Sequence, residues 1–208
     1  MKFIETKLKG AYIIEIEPIE DERGFFARTF CIEEFKKNGI NFNIVQCNIS
    51  FNKKKGILRG MHYQVAPYQE AKIVSCTSGA IYDVIIDLRK KSPTYCQWFA
   101  TELSAEAYKM LYVPEGFAHG FQTLEDNTAV FYQMSEFYHP ECARGVRWND
   151  PAFGIKWPLS VKIKSKKTYY VWLYSMANNL AKITVSMLLF FKALRFLLLP
   201  WRQSIVFR

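Results

Sequence analysis

The sequence predicts an all-β fold, a sandwich or barrel, and three observations carry that expectation. From about residue 10 to residue 135 the chain is a succession of short runs rich in Val, Ile, Phe and Tyr. These runs are roughly five to nine residues long and separated by Gly, Asn and Lys, a rhythm of strands and turns rather than helices. Half of the 208 residues are apolar and 16% are aromatic, so one domain with a real core is within reach.

The elements follow in order. The amino terminus, MKFIETKLKGAYIIEI, alternates and contains acids, without the continuous apolar stretch of a signal peptide. Export is therefore not expected. AYIIEIE, GFFARTF and FNIVQCNIS read as strand runs, with a helical insert at Ile32 to Asn38, where EEFKKNG ends on Asn-Gly. AKIVSCTSG, AIYDVIIDLR, QWFATELS, KMLYVPEG, HGFQTLE and AVFYQMSEFY continue the pattern, and SAEAYKM after Leu103 reads as a single turn. No internal repeat or low-complexity linker interrupts the run of strands.

The formal net charge of +9 suggests nucleic acid until it is divided along the chain. Residues 1–150 carry 18 Lys and Arg against 19 Asp and Glu, whereas residues 151–208 carry 10 cations and no acid. The expected domain, residues 1–159, is thus close to neutral, and no nucleic-acid partner is expected. Residues 160–208 form a basic, apolar tail. Its stretch from Met187 to Trp201 contains Lys192 and Arg195 and is short for a membrane span. A basic interfacial helix is one reading. An altered reading frame past the end of the domain, or a disordered tail, is the other, favoured because composition breaks where a compact domain would finish. Membrane contact is not expected. The five cysteines, Cys31, Cys47, Cys76, Cys96 and Cys142, are odd in number and lack CxxC spacing. They read as reduced cytosolic thiols.

The chemistry concentrates in GILRGMHYQ (Gly56 to Gln64) and VPEGFAHGF (Val113 to Phe121), which hold two of the three histidines, His62 and His119. Arg59 precedes His62 by three residues, and Lys72 opens the next strand, where Lys72, Val74 and Cys76 share one face. A barrel interior holding His, Arg and Lys together is costly unless an anion fills it. An imidazole that titrates near neutrality beside such cations suggests proton transfer next to an anionic substrate. Taken singly, each residue has an ordinary explanation. His62 could be a core histidine, and His119 could hold a loop or a neighbouring Asp. Tyr132 and Tyr138 could be aromatic packing, and Arg23 could be a turn residue. PEGFAH matches the P-x-G-x-x-H half of a cupin-type double-stranded β-helix motif, but the H-x-H half reads His62-Tyr63-Gln64. The expectation is cupin shape without cupin metal.

Seven segments in order strengthen these signals: DERGFF, VQCNIS, GILRGMHYQ, the Lys72 strand, YDVIIDLRKKSPT, VPEGFAHGF and RGVRWNDPAFGIKWP. Over residues 3–159 the chain resembles the dTDP-4-dehydrorhamnose 3,5-epimerase family, whose members are cupin-like jelly rolls. The resemblance implies His62 as general base and Tyr132 as general acid on the opposite face of a sugar. It implies Arg59 and Lys72 near the keto oxygen, and Arg23, Gln46 and Asn48 at the nucleotide and phosphates. Tyr138 is implied as the aromatic that stacks on thymine and His119 as a further pocket histidine, with Asp83 on the pocket strand. It further implies no metal and no cofactor, a cytoplasmic homodimer in which an amino-terminal strand crosses to the partner, and a place in dTDP-rhamnose and cell-surface polysaccharide biosynthesis. The reaction so implied converts dTDP-4-dehydro-6-deoxy-D-glucose to dTDP-4-dehydro-L-rhamnose. Inversion at C3 only or C5 only, and a non-catalytic sugar-nucleotide binder, are the alternatives.

Two departures stand out. Ala143 occupies a position usually held by Glu, with Glu141 two residues earlier. The family's closing S-x-K-D segment, whose Asp pairs with the catalytic His, reads Ser165, Lys166, Lys167, Thr168 here. Asp83 is then the candidate substitute partner for His62.

Overall fold

A computed structural model describes residues 1–164 and 171–172. Its strands are β1 (Lys2–Glu5), β2 (Tyr12–Glu15), β3 (Ile19–Asp21), β4 (Gly24–Phe26), β5 (Gln46–Asn52), β6 (Ile57–Gln64), β7 (Lys72–Ser78) and β8 (Ala80–Asp87). β9 (Trp98–Ser104), β10 (Lys109–Val113), β11 (Phe117–Thr123), β12 (Thr128–Met134) and β13 (Ala143–Val146) follow, then the two-residue strands β14 (Ile163–Lys164) and β15 (Val171–Trp172). One helix, α1 (Ile32–Lys37), lies between β4 and β5. The remainder of the tail, including Thr168 and the stretch from Met187 to Trp201, lies outside the described residues.

Two sheets face each other. One has the order β1-β2-β10-β7-β12-β5; the other runs β15-β13-β6-β11-β8-β9, with β14 also on β6. β3 and β4 form a separate hairpin. Ladders are antiparallel except the two short pairings β13–β15 and β14–β6. This is the expected all-β jelly roll.

Strand alternation explains the layers. On β7, Val74 and Cys76 point into the central core while Ile73 points outward; on β10, Leu111 and Val113 point in while Met110 and Tyr112 point out. The central core also takes Ile81, Ile85, Phe117, Phe121 and Val130, so both sheets contribute. Truncating a fully buried side chain such as Leu111 to Ala would cost about 2–5 kcal/mol. A second cluster covers the outer face of the first sheet, where α1 and its flanks supply Phe35, Ile40 and Phe42. A third covers the outer face of the second sheet with Val146 and Phe153 over Met61, Val84, Ile86 and Ala118.

The helix forms where expected. Glu33 and Glu34 occupy its first turn and Lys36 and Lys37 its last, matching the helix dipole, and Asn38 caps the end. SAEAYKM makes the turn between β9 and β10. Three strand expectations were each four residues too long: residues 135–138 lie beyond the end of β12, and residues 27–30 and 42–45, on either side of α1, are irregular. Their apolar residues serve α1 instead, because Phe42 is fully buried beside Phe35 and Phe30 packs on both. The loop after β8 is tied by Asp87, which accepts hydrogen bonds from Arg89, Ser92 and Thr94. Burial alone would raise its pKa, but those hydrogen bonds prevail and hold it at about 2.

Candidate active site

A pocket of about 300 Å³ lies between the sheets, lined by Arg59, His62, Lys72, His119 and Tyr132 together with Ser50 and Phe121. It arises because inner-face positions change from apolar to polar along several strands. On β7 the row Cys76, Val74 ends in Lys72; on β12 Val130 is followed by Tyr132; on β11 His119 stands between Phe117 and Phe121.

β6 needs a further device. Alternation would send Arg59 and His62, three apart, to opposite faces. The pairing with β11 sets His119 against His62 but Phe121 against Arg59, so two steps on β11 match three on β6. This bulge brings both side chains to the pocket. It requires glycine on both strands: a Cβ on Gly60 would lie 2.4 Å from Gly120 Cα, and one on Gly120 would lie 2.6 Å from the Arg59 carbonyl oxygen. Gly60 also has φ +118°, a conformation that suits glycine.

The two histidines differ in their partners. His119 is buried, and its Nε2 lies 2.7 Å from Asp83 Oδ1. Asp83 Oδ2 is buried with no partner among the described residues. Asp83 therefore serves His119 and not His62, which corrects the expectation that it substitutes for the absent carboxylate. The cause is register: Asp83 and His119 both point inward from the neighbouring strands β8 and β11, whereas His62 lies one strand further, on β6. His62 is open to the pocket but surrounded by protein on its other sides. No side chain among the described residues hydrogen-bonds its ring. Burial, then the charges of Lys72, His119 and Arg59, lower its pKa to about 4, so it is neutral at pH 7. Tyr132 sits across the pocket on the other sheet, its ring edge-on to His119 at 6.1 Å. Burial, then the charge of Asp83, raises its phenol far above the usual range. The hydroxyl of Ser50 lies near enough to oppose that shift, yet it is buried and makes no hydrogen bond of good geometry among the described residues.

The cations are held in place. Arg59 Nε donates to Asn52 Oδ1 at 2.6 Å, and Lys72 forms an ion pair with Glu70 at 2.7 Å. Glu70 thus supplies part of the negative charge that clustered cations demand. Asn52, Ser50, Asn48 and Gln46 alternate along β5, so Asn48 and Gln46 continue the pocket-facing row beyond Ser50; Asn48 pairs with Tyr132 and Gln46 with Met134. Neither lines the pocket itself. Arg23 and Tyr138 also lie outside it. The Arg23 side chain is 84% exposed on the β3–β4 hairpin and paired with Asp21, and Tyr138 is 63% exposed after β12. Five of the nine expected residues are therefore together, two flank them on β5, and two stand on exposed segments.

Sequence reasoning missed Ser50, Asn52 and Glu70. Counting by two from Asn48 and Lys72 would have found all three. Gln64, at the second position of the absent H-x-H, has a different use: Nε2 donates to the carbonyls of Tyr68 and Phe137, and Oε1 accepts from the His139 backbone. It binds the loop before Glu70 to the segment bearing Tyr138. Among the described residues no group of three or more His, Cys, Asp or Glu could hold a metal ion. None of the described helices is long and apolar enough to cross a membrane.

Comparison with known proteins gives the same direction. The family model described as dTDP-4-dehydrorhamnose 3,5-epimerase matches residues 5–171. A dTDP-4-dehydrorhamnose 3,5-epimerase of Methanothermobacter thermautotrophicus is 46% identical over 160 residues, covering 77% of this chain and 85% of the relative. The crystal structure of the Elizabethkingia anophelis enzyme of that name superposes with a TM-score of 0.81 at 39% identity, covering 84% of this chain and 97% of the other. The Legionella pneumophila epimerase solved with dTDP-4-keto-L-rhamnose gives 0.76 at 37% identity, covering 83% and 92%. A family model spanning residues 5–171 and relatives alike over most of their length settle the assignment: the chain belongs to the dTDP-4-dehydrorhamnose 3,5-epimerase family.

Proposed function

We propose that this chain inverts C3 and C5 of dTDP-4-dehydro-6-deoxy-D-glucose to give dTDP-4-dehydro-L-rhamnose. The observation that carries the reading is the entry of His62 and Tyr132 into one pocket from opposite sheets, with Lys72 and Arg59 beside them.

The 4-keto group acidifies the C–H bonds at both adjacent carbons. Neutral His62 removes the proton from one face, and the electron pair moves onto O4 as an enolate. The ammonium of Lys72 and the guanidinium of Arg59 stabilise that developing charge, most effectively where water is excluded. Tyr132 then delivers its phenolic proton to the opposite face, which inverts the centre, and regains one from solvent; His62 releases its proton through the open side of the pocket. The high pKa of Tyr132 keeps its proton in place until the enolate forms. No cofactor enters, because the substrate's own carbonyl is the electron sink. Arg23, Gln46 and Asn48 are assigned to the nucleotide and phosphates, Tyr138 to the base, and His119 to the sugar.

The reading extends to assembly and place. Val45, Ile49 and Phe51 are exposed on or beside edge strand β5, and Ile19, Phe25 and Phe26 are exposed on the β3–β4 hairpin that carries Arg23. Such apolar surface supports a homodimer through this end of the molecule. Five free cysteines suit a reducing cytoplasm. Residues 1–159 are taken as the catalytic domain. A second reading, a sugar-nucleotide binder without turnover, is favoured by one observation, the Thr168 that stands where an orienting Asp is expected. Incubation of the keto sugar with the protein in D₂O separates the two. Deuterium at both C3 and C5 is expected; deuterium at one carbon would limit the enzyme to single inversion, and none would leave only binding.

A further inference from the structure

Lys72 enters the pocket with a companion that the reaction scheme does not use. Its ammonium lies 2.7 Å from Glu70 Oε1, and the two side chains are only 9% and 8% exposed. The meeting follows from spacing, because residues two apart at the head of a strand place their side chains on the same side. The other charged groups of the site are committed elsewhere. Asp83 is bonded to His119, and Arg59 is held by the neutral amide of Asn52. Among the described residues, Glu70 is the carboxylate paired with a pocket cation.

We propose that Glu70 is a positioning residue for the epimerisation, whose carboxylate offsets the charge of Lys72 and fixes it where the enolate oxygen forms. An ammonium withdrawn from water is costly unless a counter-charge is near. The groups that share the pocket with Lys72 are Arg59 and His62 from β6, His119 from β11 and Tyr132 from β12. None of them is an anion, so without Glu70 the ammonium has only neutral and cationic company. The pair need not quench Lys72 for catalysis: an ammonium has three N–H donors, and one carboxylate oxygen leaves others for substrate. Position also matters, since a flexible four-carbon stem can place the charge in many spots unless it is anchored.

The inference rests on the epimerase reading, and the test separates the two. Glu70→Gln keeps size and shape while removing the charge. In the variant, kcat for deuterium exchange is expected to fall on the order of 10²-fold with KM for the keto sugar within a few-fold. Glu70→Asp, which keeps the charge on a shorter arm, should recover part of that loss. A second readout follows the imidazole of His62 by NMR titration without substrate. The charge of Lys72 helps to hold His62 low, and Glu70→Gln removes the negative charge that offsets it, so the titration of His62 should move further downward. Exchange within twofold of the unaltered chain would overturn the proposal. So would a fall in kcat with the His62 titration unmoved, which would make Glu70 a folding residue only. If the unaltered chain exchanges no deuterium, the epimerase reading fails, while the His62 titration still decides whether Glu70 offsets the charge of Lys72 in the pocket.

Discussion

His62 and His119 are direct neighbours on paired strands, yet they occupy opposite electrostatic situations. His119 is buried and hydrogen-bonded to Asp83, so its ring is oriented. His62 has the open side of the pocket, two cations nearby and no carboxylate among the described residues. The contrast teaches that a histidine's role is set less by its strand than by what stands behind its ring. An orienting carboxylate fixes the tautomer and stabilises the imidazolium as it forms. His119 has that support, and among the described residues nothing gives it to the proposed base.

The largest way to break this contrast is to give His62 a carboxylate. Replacing the sequence after Ser165 with an ending that restores Lys-Asp should raise turnover, by up to ~10⁴-fold if the partner is worth here what it is worth in other His-dependent enzymes. Progress curves with the keto sugar measure it. A chimera no faster than the present chain would show that His62 needs no such partner. The converse change, Asp83→Asn, removes the support of His119 without removing any direct contact of His62. A drop of about 10- to 100-fold in kcat is expected, by analogy with the loss of partners that orient ligating histidines, with deuterium exchange still detectable. Complete loss of exchange in a folded variant would move the base assignment to His119.

A smaller effect appears in pH dependence. The acid limb of kcat/KM reports the base in the free enzyme. With His62 lowered to about 4, activity should hold well below pH 6.5 and fall only as pH approaches that value. In the Lys-Asp chimera the limb should move upward, because a carboxylate favours the charged ring. The same shift has a stability consequence whose sign can be worked out. The unfolded chain protonates this histidine more readily, so its contribution is fully present above about pH 6.5 and is lost as pH falls from there toward 4.

Much of this was legible in the sequence, for reasons that differ by element. The alternation of Lys72, Val74 and Cys76 showed both strand and face, because the period of two survives folding unchanged. The helix was legible from its charges and its Asn-Gly ending. The joint placement of Arg59 and His62 was not, because it depends on a bulge held open by a glycine pair from strands 60 residues apart in sequence, Gly60 and Gly120. Phe42–Val45 read as strand by composition, but tertiary packing under α1 used those side chains instead. The Asp83–His119 bond was beyond reach as well, since register between β8 and β11 decides which histidine Asp83 meets.

The central claim is that His62, not its better-supported neighbour, abstracts the sugar proton. It is tested most directly by His62→Ala assayed for solvent-deuterium incorporation at C3 and C5, with dTDP binding measured alongside to verify an intact pocket. The expected result is loss of incorporation at both carbons with dTDP affinity within a few-fold of the unaltered chain. Incorporation at the unaltered rate would contradict the assignment and leave His119, with Asp83 behind it, as the base.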